Sequence, residues 1–292
     1  MKRGCSSLRG SMSRRDFLKL SGTAALSLSA GPGLREAVAG DEAPLGSSRS
    51  PLNILLIVTD QERYLTAEQL PAGYRLPGHE KLASSGVVFE NHQIASCVFT
   101  SSRAVLYTGQ HIQHNGMFDN TNFPWSNDLS PDIQTIGDML RRQGYYTAYK
   151  GKWHLTDEFE TANDLHQLKR ILSEEMEQYG FSDYFGIGDM IAHTEGGFLH
   201  DGVITSMTKS WLRGRAQELS AQDKPWFMAV NLVNPHDVMY YNTDLSGEPA
   251  KQAEAAMMQL NHDPATAQFG TQWEPVLPVS RNQPVTGSDR PA

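Results

Sequence analysis

Three short polar clusters in this 292-residue sequence carry side chains able to do chemistry. Thr59-Asp60-Gln61-Glu62-Arg63 places a carboxylate beside a carboxamide carbonyl, hard oxygen ligands suited to Ca2+ or Mg2+. The same residues also suit an ordinary solvated turn after a strand. Lys150-Gly151-Lys152-Trp153-His154 sets a cation and a titratable imidazole two residues apart, which an extended segment turns to one side. That pair fits an anionic substrate whose leaving group needs a proton. A surface lysine with a structural histidine packed on Trp153 is the competing reading. Asn234-Pro235-His236-Asp237 adds another imidazole, which alone reads as a satisfied turn residue. A fourth segment, Ser96 to Gly109, contributes the Thr100 hydroxyl and the Arg103 guanidinium.

Something must bring these clusters together. Asn53 to Thr59 and Trp226 to Val233 are apolar runs, the pattern of strands buried on both faces. Tyr145 to Tyr149 and Val87 to Phe89 read as further strands. Helical spacing marks Leu76–Ser85, Ser101–Thr108, Asp132–Gln143, Leu168–Tyr179 and Gly202–Leu219, with Gly109 and Gly144 as stops. A further helix is expected over Ala253–Leu260. Strands separated by helices predict an α/β fold, a mostly parallel sheet with helices on both faces. Ligands in such folds bind beyond the carboxyl ends of the strands, and three of the polar clusters fall there.

The ordered set Asn53-Ile54-Leu55-Leu56-Ile57-Val58-Thr59-Asp60-Gln61, Ser96 through Gly109, Gly151-Lys152-Trp153-His154 and Asn234-Pro235-His236 resembles the N-terminal part of a sulfatase, in the alkaline-phosphatase-like superfamily. The likeness runs from about Pro51 to Asp237. It implies a metal-dependent hydrolase of small anionic sulfate esters. By that resemblance Asp60 and Gln61 match ligands of a divalent metal, usually Ca2+ (or Mg2+), with Gln61 replacing the commoner second Asp. Arg103 matches the arginine that steadies the nucleophile loop. Lys152, His154 and His236 match contacts to sulfate, nucleophile or leaving group. The family nucleophile lies in Cys or Ser, any residue, Pro or Ala, Ser, Arg, and is oxidised to formylglycine. Counting back from Ser102-Arg103 puts Phe99 at that position and Ser101 at the Pro position, so formylglycine is not expected. Cys97 stands two residues too early. In related branches a Thr or Ser hydroxyl attacks directly, which makes Thr100 the substitute, unless it caps the following helix. Two alternatives therefore stand beside the sulfatase reading. One is a phosphate or phosphonate ester hydrolase or transferase using Thr100; the other is a relative that binds anions without cleaving them. The family's downstream metal ligands, an Asp followed by Asn or His and usually Gly, have no match after His236. The catalytic domain expected over residues 52–292 therefore reads as incomplete, with a Pro-rich tail from about 264.

Composition bounds these readings. Hydrophobic residues make up 39% and charged ones 20%, which excludes coiled-coil, collagen-like and largely disordered chains. A formal charge of −8 argues against a general nucleic-acid surface. Ser13-Arg14-Arg15-Asp16-Phe17-Leu18-Lys19, a mildly apolar stretch from Leu20 to Ala30 and Ala37-Val38-Ala39 form a twin-arginine signal over residues 1–39. The expectation is export by the twin-arginine machinery to the periplasm or beyond, with a linker over 40–51. The apolar stretch is too short for a stable membrane span. The signal also contains Cys5, so its removal would leave Cys97 as the one thiol and no internal disulfide.

Overall fold

A computed structural model describes residues 51–157, 170, 174–186, 196–236, 271, 273–274 and 276–277. The signal segment, residues 40–50 of the linker, the Ala253–Leu260 helix and most of the Pro-rich tail lie outside the described residues. Four strands form one sheet: β1 (Ile54–Asp60), β2 (Tyr146–Gly151), β3 (Ser182–Phe185) and β4 (Trp226–Pro235). Their order is β1-β4-β2-β3, and every pairing is parallel. Parallel neighbours need long crossovers, and the helices between the strands supply them.

The side-chain period of two on β4 divides the core into two layers. Phe227 and Ala229 point to one face, where they meet Ala104 and Tyr107 of α2 (Phe99–Thr108) and Tyr149, Trp153 and Phe181. Ile136 and Leu140 of α4 (Ile136–Arg142) pack on the same side. Met228 and Val230 point the other way, to Ile204 and Trp211 of α5 (Gly196–Arg213) and Ala216 and Leu219 of α6 (Arg215–Ala221). Helices thus cover both faces. Among the described residues stand two smaller helices as well, α1 (Pro77–Ser85) and α3 (Ile112–Asn115).

Local chemistry explains the boundaries and several departures from the sequence pattern. α1 begins with Pro77 in its first turn, where a missing N–H costs nothing. α4 begins at Ile136 rather than 132, because Thr135 and Asp138 form a reciprocal capping box. α2 starts two residues earlier than its periodicity suggests, at Phe99. The helix expected over Gly202–Leu219 is two helices broken at Gly214. The described end of the Leu168–Tyr179 segment is a 3-10 turn, Glu175–Tyr179. Val87–Phe89 belongs to none of the four described strands, and these residues are exposed. β1 is also not buried on both faces. It lies at the edge of the described sheet, with Ile54, Leu55 and Ile57 38–50% exposed. Among the described residues no helix is long and apolar enough to cross a membrane.

Candidate functional site

β1, β4 and β2 end side by side, and their carboxyl ends deliver three of the four polar clusters to one place. Val58 pairs with Asn231 but Asp60 pairs with Pro235, so two residues on β1 stand opposite four on β4. That irregularity carries the chain forward until His236 follows directly on the partner of Asp60. β2 ends at Gly151, with φ 94°. A Cβ there would lie 1.9 Å from the Asn231 carbonyl oxygen, so only glycine permits the approach. The Lys152 amide then donates to that same oxygen at 3.1 Å.

The result is a buried charged cluster. The Lys152 ammonium lies 2.6 Å from Oδ2 of Asp60, and Nη2 of Arg103 donates to the same oxygen at 3.3 Å. Nη1 of Arg103 donates to the Lys152 carbonyl at 2.9 Å and to Oδ1 of Asn231 at 3.1 Å. Asp60, Arg103, Lys152, His154 and His236 are all at most 6% exposed. Burial pushes the Asp60 carboxyl upward. The charges of Arg103 and Lys152, the contact with Lys152 and the neighbouring His236 together outweigh it, and hold the group below its ordinary 3.8.

Phe99 sits in the middle of this cluster. Lys152 Nζ stands 4.6 Å from the centre of its ring. The His236 ring meets it edge to face at 4.3 Å, and the His154 ring lies nearly parallel at 6.0 Å. The lysine and both imidazoles therefore converge on a hydrocarbon ring. Backbone strain gathers at the same place: Gln61, Val98 and His154 hold φ of 57°, 67° and 54°. For a β-branched residue such as Val98 that conformation is strongly disfavoured, and it is the residue that delivers Phe99.

Thr100 and Gln61 stand apart from this convergence. The Thr100 hydroxyl is wholly buried and donates to the His154 carbonyl at 2.9 Å, while accepting from the Thr121 amide. Nor does Thr100 cap α2, because the residue before the helix is Val98. Thr100 is instead a tie between the start of α2 and the chain beyond β2. Gln61 is exposed, outside the contacts of the cluster. Asp237 lies outside the described residues.

Asn231 is the residue that pattern reading misses. Buried in the middle of β4, it accepts from Tyr107 at 2.7 Å as well as from Arg103. Its signal was present, as one carboxamide inside the otherwise apolar run Trp226–Val233. Tyr149 is a second such support, its hydroxyl donating to the Lys152 carbonyl at 2.6 Å. Burial pushes the phenols of Tyr107 and Tyr149 up, which keeps both as hydrogen-bond donors.

A calcium ion takes six to eight oxygens. Among the described residues no three His, Cys, Asp or Glu side chains gather in a way that could hold a metal. Asp60, the one buried carboxylate among the described residues, is already ion-paired with two cations. The described residues therefore do not fit such an ion.

Comparison with known proteins supplies the family context. The family model described as Sulfatase matches residues 52–268. A sulfatase of Escherichia coli described as uncharacterized, YidJ, is 26% identical over 63% of this chain and 32% of its own length. An N-acetylglucosamine-6-O-sulfatase of Bacteroides thetaiotaomicron is 30% identical over 63% of this chain and 30% of its own. The chain thus spans about a third of the length of these curated relatives. Among solved structures, Ps i-CgsB is 20% identical with a TM-score of 0.45, over 66% of this chain and 47% of that one.

Proposed function

The chain belongs to the sulfatase family, and from that premise we propose that its buried cluster recognises the sulfate group of small anionic sulfate esters without supplying a nucleophile to cleave them. Lys152, His154 and His236 are the sulfate-facing groups. Arg103 and Asp60 hold Lys152 in place, and Asn231 holds Arg103. One observation carries this reading: the Phe99 ring stands where those three groups meet and offers no oxygen or sulfur for attack. An anion entering the cluster displaces the ring from the lysine. Direct attack by Thr100, on sulfate or on a phosphate or phosphonate ester, is disfavoured by its buried hydrogen bond to the His154 carbonyl. Sulfate-ester hydrolysis in the manner of the named relatives calls for a nucleophile and metal ligands beyond the described residues.

The test combines turnover and binding. 4-Nitrophenyl sulfate and 4-nitrophenyl phosphate are offered to the wild type, Thr100→Ala and Lys152→Ala, with nitrophenol release and calorimetric binding both measured. The expected outcome is binding of the sulfate ester that Lys152→Ala abolishes, with no release of nitrophenol. Release from either ester that Thr100→Ala removes would overturn the reading. The periplasmic destination and twin-arginine export of the intact chain are part of the same proposal. Fractionation of cells that express it with Arg14 and Arg15 intact or replaced by Lys tests them.

A further inference from the structure

α2 begins without a capping side chain of its own, because Val98 precedes it and has no polar side-chain atom to offer the amides of the first turn. The Ser102 amide closes on the Val98 carbonyl at 3.0 Å, which leaves those of Phe99, Thr100 and Ser101 outside the helical ladder. One of them is met from 20 residues away: the Thr100 amide donates to Oδ1 of Asn120 at 3.2 Å. The next residue of that loop grips the Thr100 side chain as well, the Thr121 amide donating to its hydroxyl at 3.4 Å. Thr100 directly follows Phe99, so the loop holds the chain one residue from the ring that fills the charged cluster.

Asn120 is itself held in place. Its amide donates to Oδ1 of Asp119 at 2.8 Å, and the Trp125 indole N–H donates to Oδ2 of the same carboxylate at 3.0 Å. The Ser126 hydroxyl donates to the Asp119 carbonyl at 3.1 Å, and the Phe123 amide to the Asn120 carbonyl at 3.2 Å. A closed turn thus aims the Asn120 carboxamide at the start of α2. What it holds there is strained. Val98 has φ 67° and ψ 147°, a region that glycine alone adopts readily. Such a conformation persists only where its surroundings over-determine it. Released, Val98 relaxes towards an ordinary extended φ and carries Phe99 with it. The ring then leaves its place 4.6 Å from Lys152 Nζ and 4.3 Å from the His236 ring.

We infer that Asn120 is a positioning residue, which caps α2 across space and latches the Phe99 ring over Lys152 and His236. Its effect on sulfate affinity rests on the function proposed above; its hold on the ring does not. The experiment uses the full chain. The His236 imidazole C–H resonance, assigned by its loss in His236→Gln, reports the ring current of Phe99, and Phe99→Ala gives its position without the ring. Asn120→Ala is expected to move the resonance towards that position. Asn120→Asp keeps the acceptor and should restore the wild-type shift. Asn120→Gln sets the carboxamide one methylene further out and should act in the same direction as Asn120→Ala, should the latter fail to fold. Calorimetry with 4-nitrocatechol sulfate supplies the second reading. Asn120→Ala should bind about 2- to 10-fold tighter than the wild type, as the lysine loses part of its ring contact, and should add nothing in a Phe99→Ala background. A His236 signal unmoved in folded Asn120→Ala or Asn120→Gln overturns the latch. So does an affinity gain that is equally large without the Phe99 ring. A shifted His236 signal with one sulfate affinity throughout, Phe99→Ala included, supports the latch and instead refutes the function proposed for the cluster.

Discussion

Replacing Asp60 with Asn keeps the shape of the side chain and removes one charge from a buried triad. Asp60 faces both Lys152 and Arg103, so the variant removes the carboxylate that these two buried cations share. Breaking a buried pair by removing one partner costs about 3–5 kcal/mol. A domain of about 150–250 residues loses about 2–4 °C of Tm per kcal/mol, so the fall should be about 6–20 °C. Thermal unfolding followed by circular dichroism at neutral pH reads this directly. The pH dependence gives an independent check. The carboxyl is held below 3.8 in the folded chain, so its contribution is fully present above that value and fades as pH drops through the lowered one. The gap between wild type and Asp60→Asn should therefore close in strong acid. A loss below about 1 kcal/mol, or a gap that persists unchanged into acid, would refute the triad as the cluster's electrostatic anchor.

Three further perturbations follow from the same geometry. Gly151→Ala forces a Cβ onto the Asn231 carbonyl and strains a φ of 94°, so it should be expressed unfolded or lose the near-ultraviolet signal of the aromatic core. Asn231→Ala strips an acceptor from both Tyr107 and Arg103. It should destabilise the fold by about 1–3 kcal/mol in urea titration, whereas an effect within about 0.5 kcal/mol would make Asn231 a bystander. Calcium at about a hundred times its dissociation constant would add about 2.7 kcal/mol if a resident site existed. Any such rise should be the same in Asp60→Asn, because Asp60 is already committed to Lys152 and Arg103.

How far the sequence revealed this molecule depends on the kind of signal each residue gives. Parallel topology was readable because strands alternate with helical periodicity, and the strand ends pointed to Asp60, Lys152 and His236. β1 shows the limit of that reading, since its apolar run says buried while the described sheet leaves it at an edge. Helix starts moved where a cap or a proline decided them, as at Thr135 and Pro77. Thr100 read as a nucleophile or a cap, and only the fold could show its hydroxyl committed 54 residues away to His154. Asn231 stayed hidden because a period of two records polarity on a face but not the partner across it. Phe99 was visible as an anomaly by spacing. That Lys152, His154 and His236 all close upon its ring needed coordinates.

The most direct measurement of the central claim is the affinity of 4-nitrocatechol sulfate for the wild type, Phe99→Ala and Phe99→Ala with Lys152→Ala, by calorimetry. A cation over an aromatic ring is worth about 0.5 kcal/mol when exposed and about 2 when desolvated. Removing the ring should therefore tighten binding by about 2- to 30-fold, and the second substitution should erase the gain. Binding to Phe99→Ala that is no tighter than to the wild type, or a gain that survives loss of Lys152, would contradict the account.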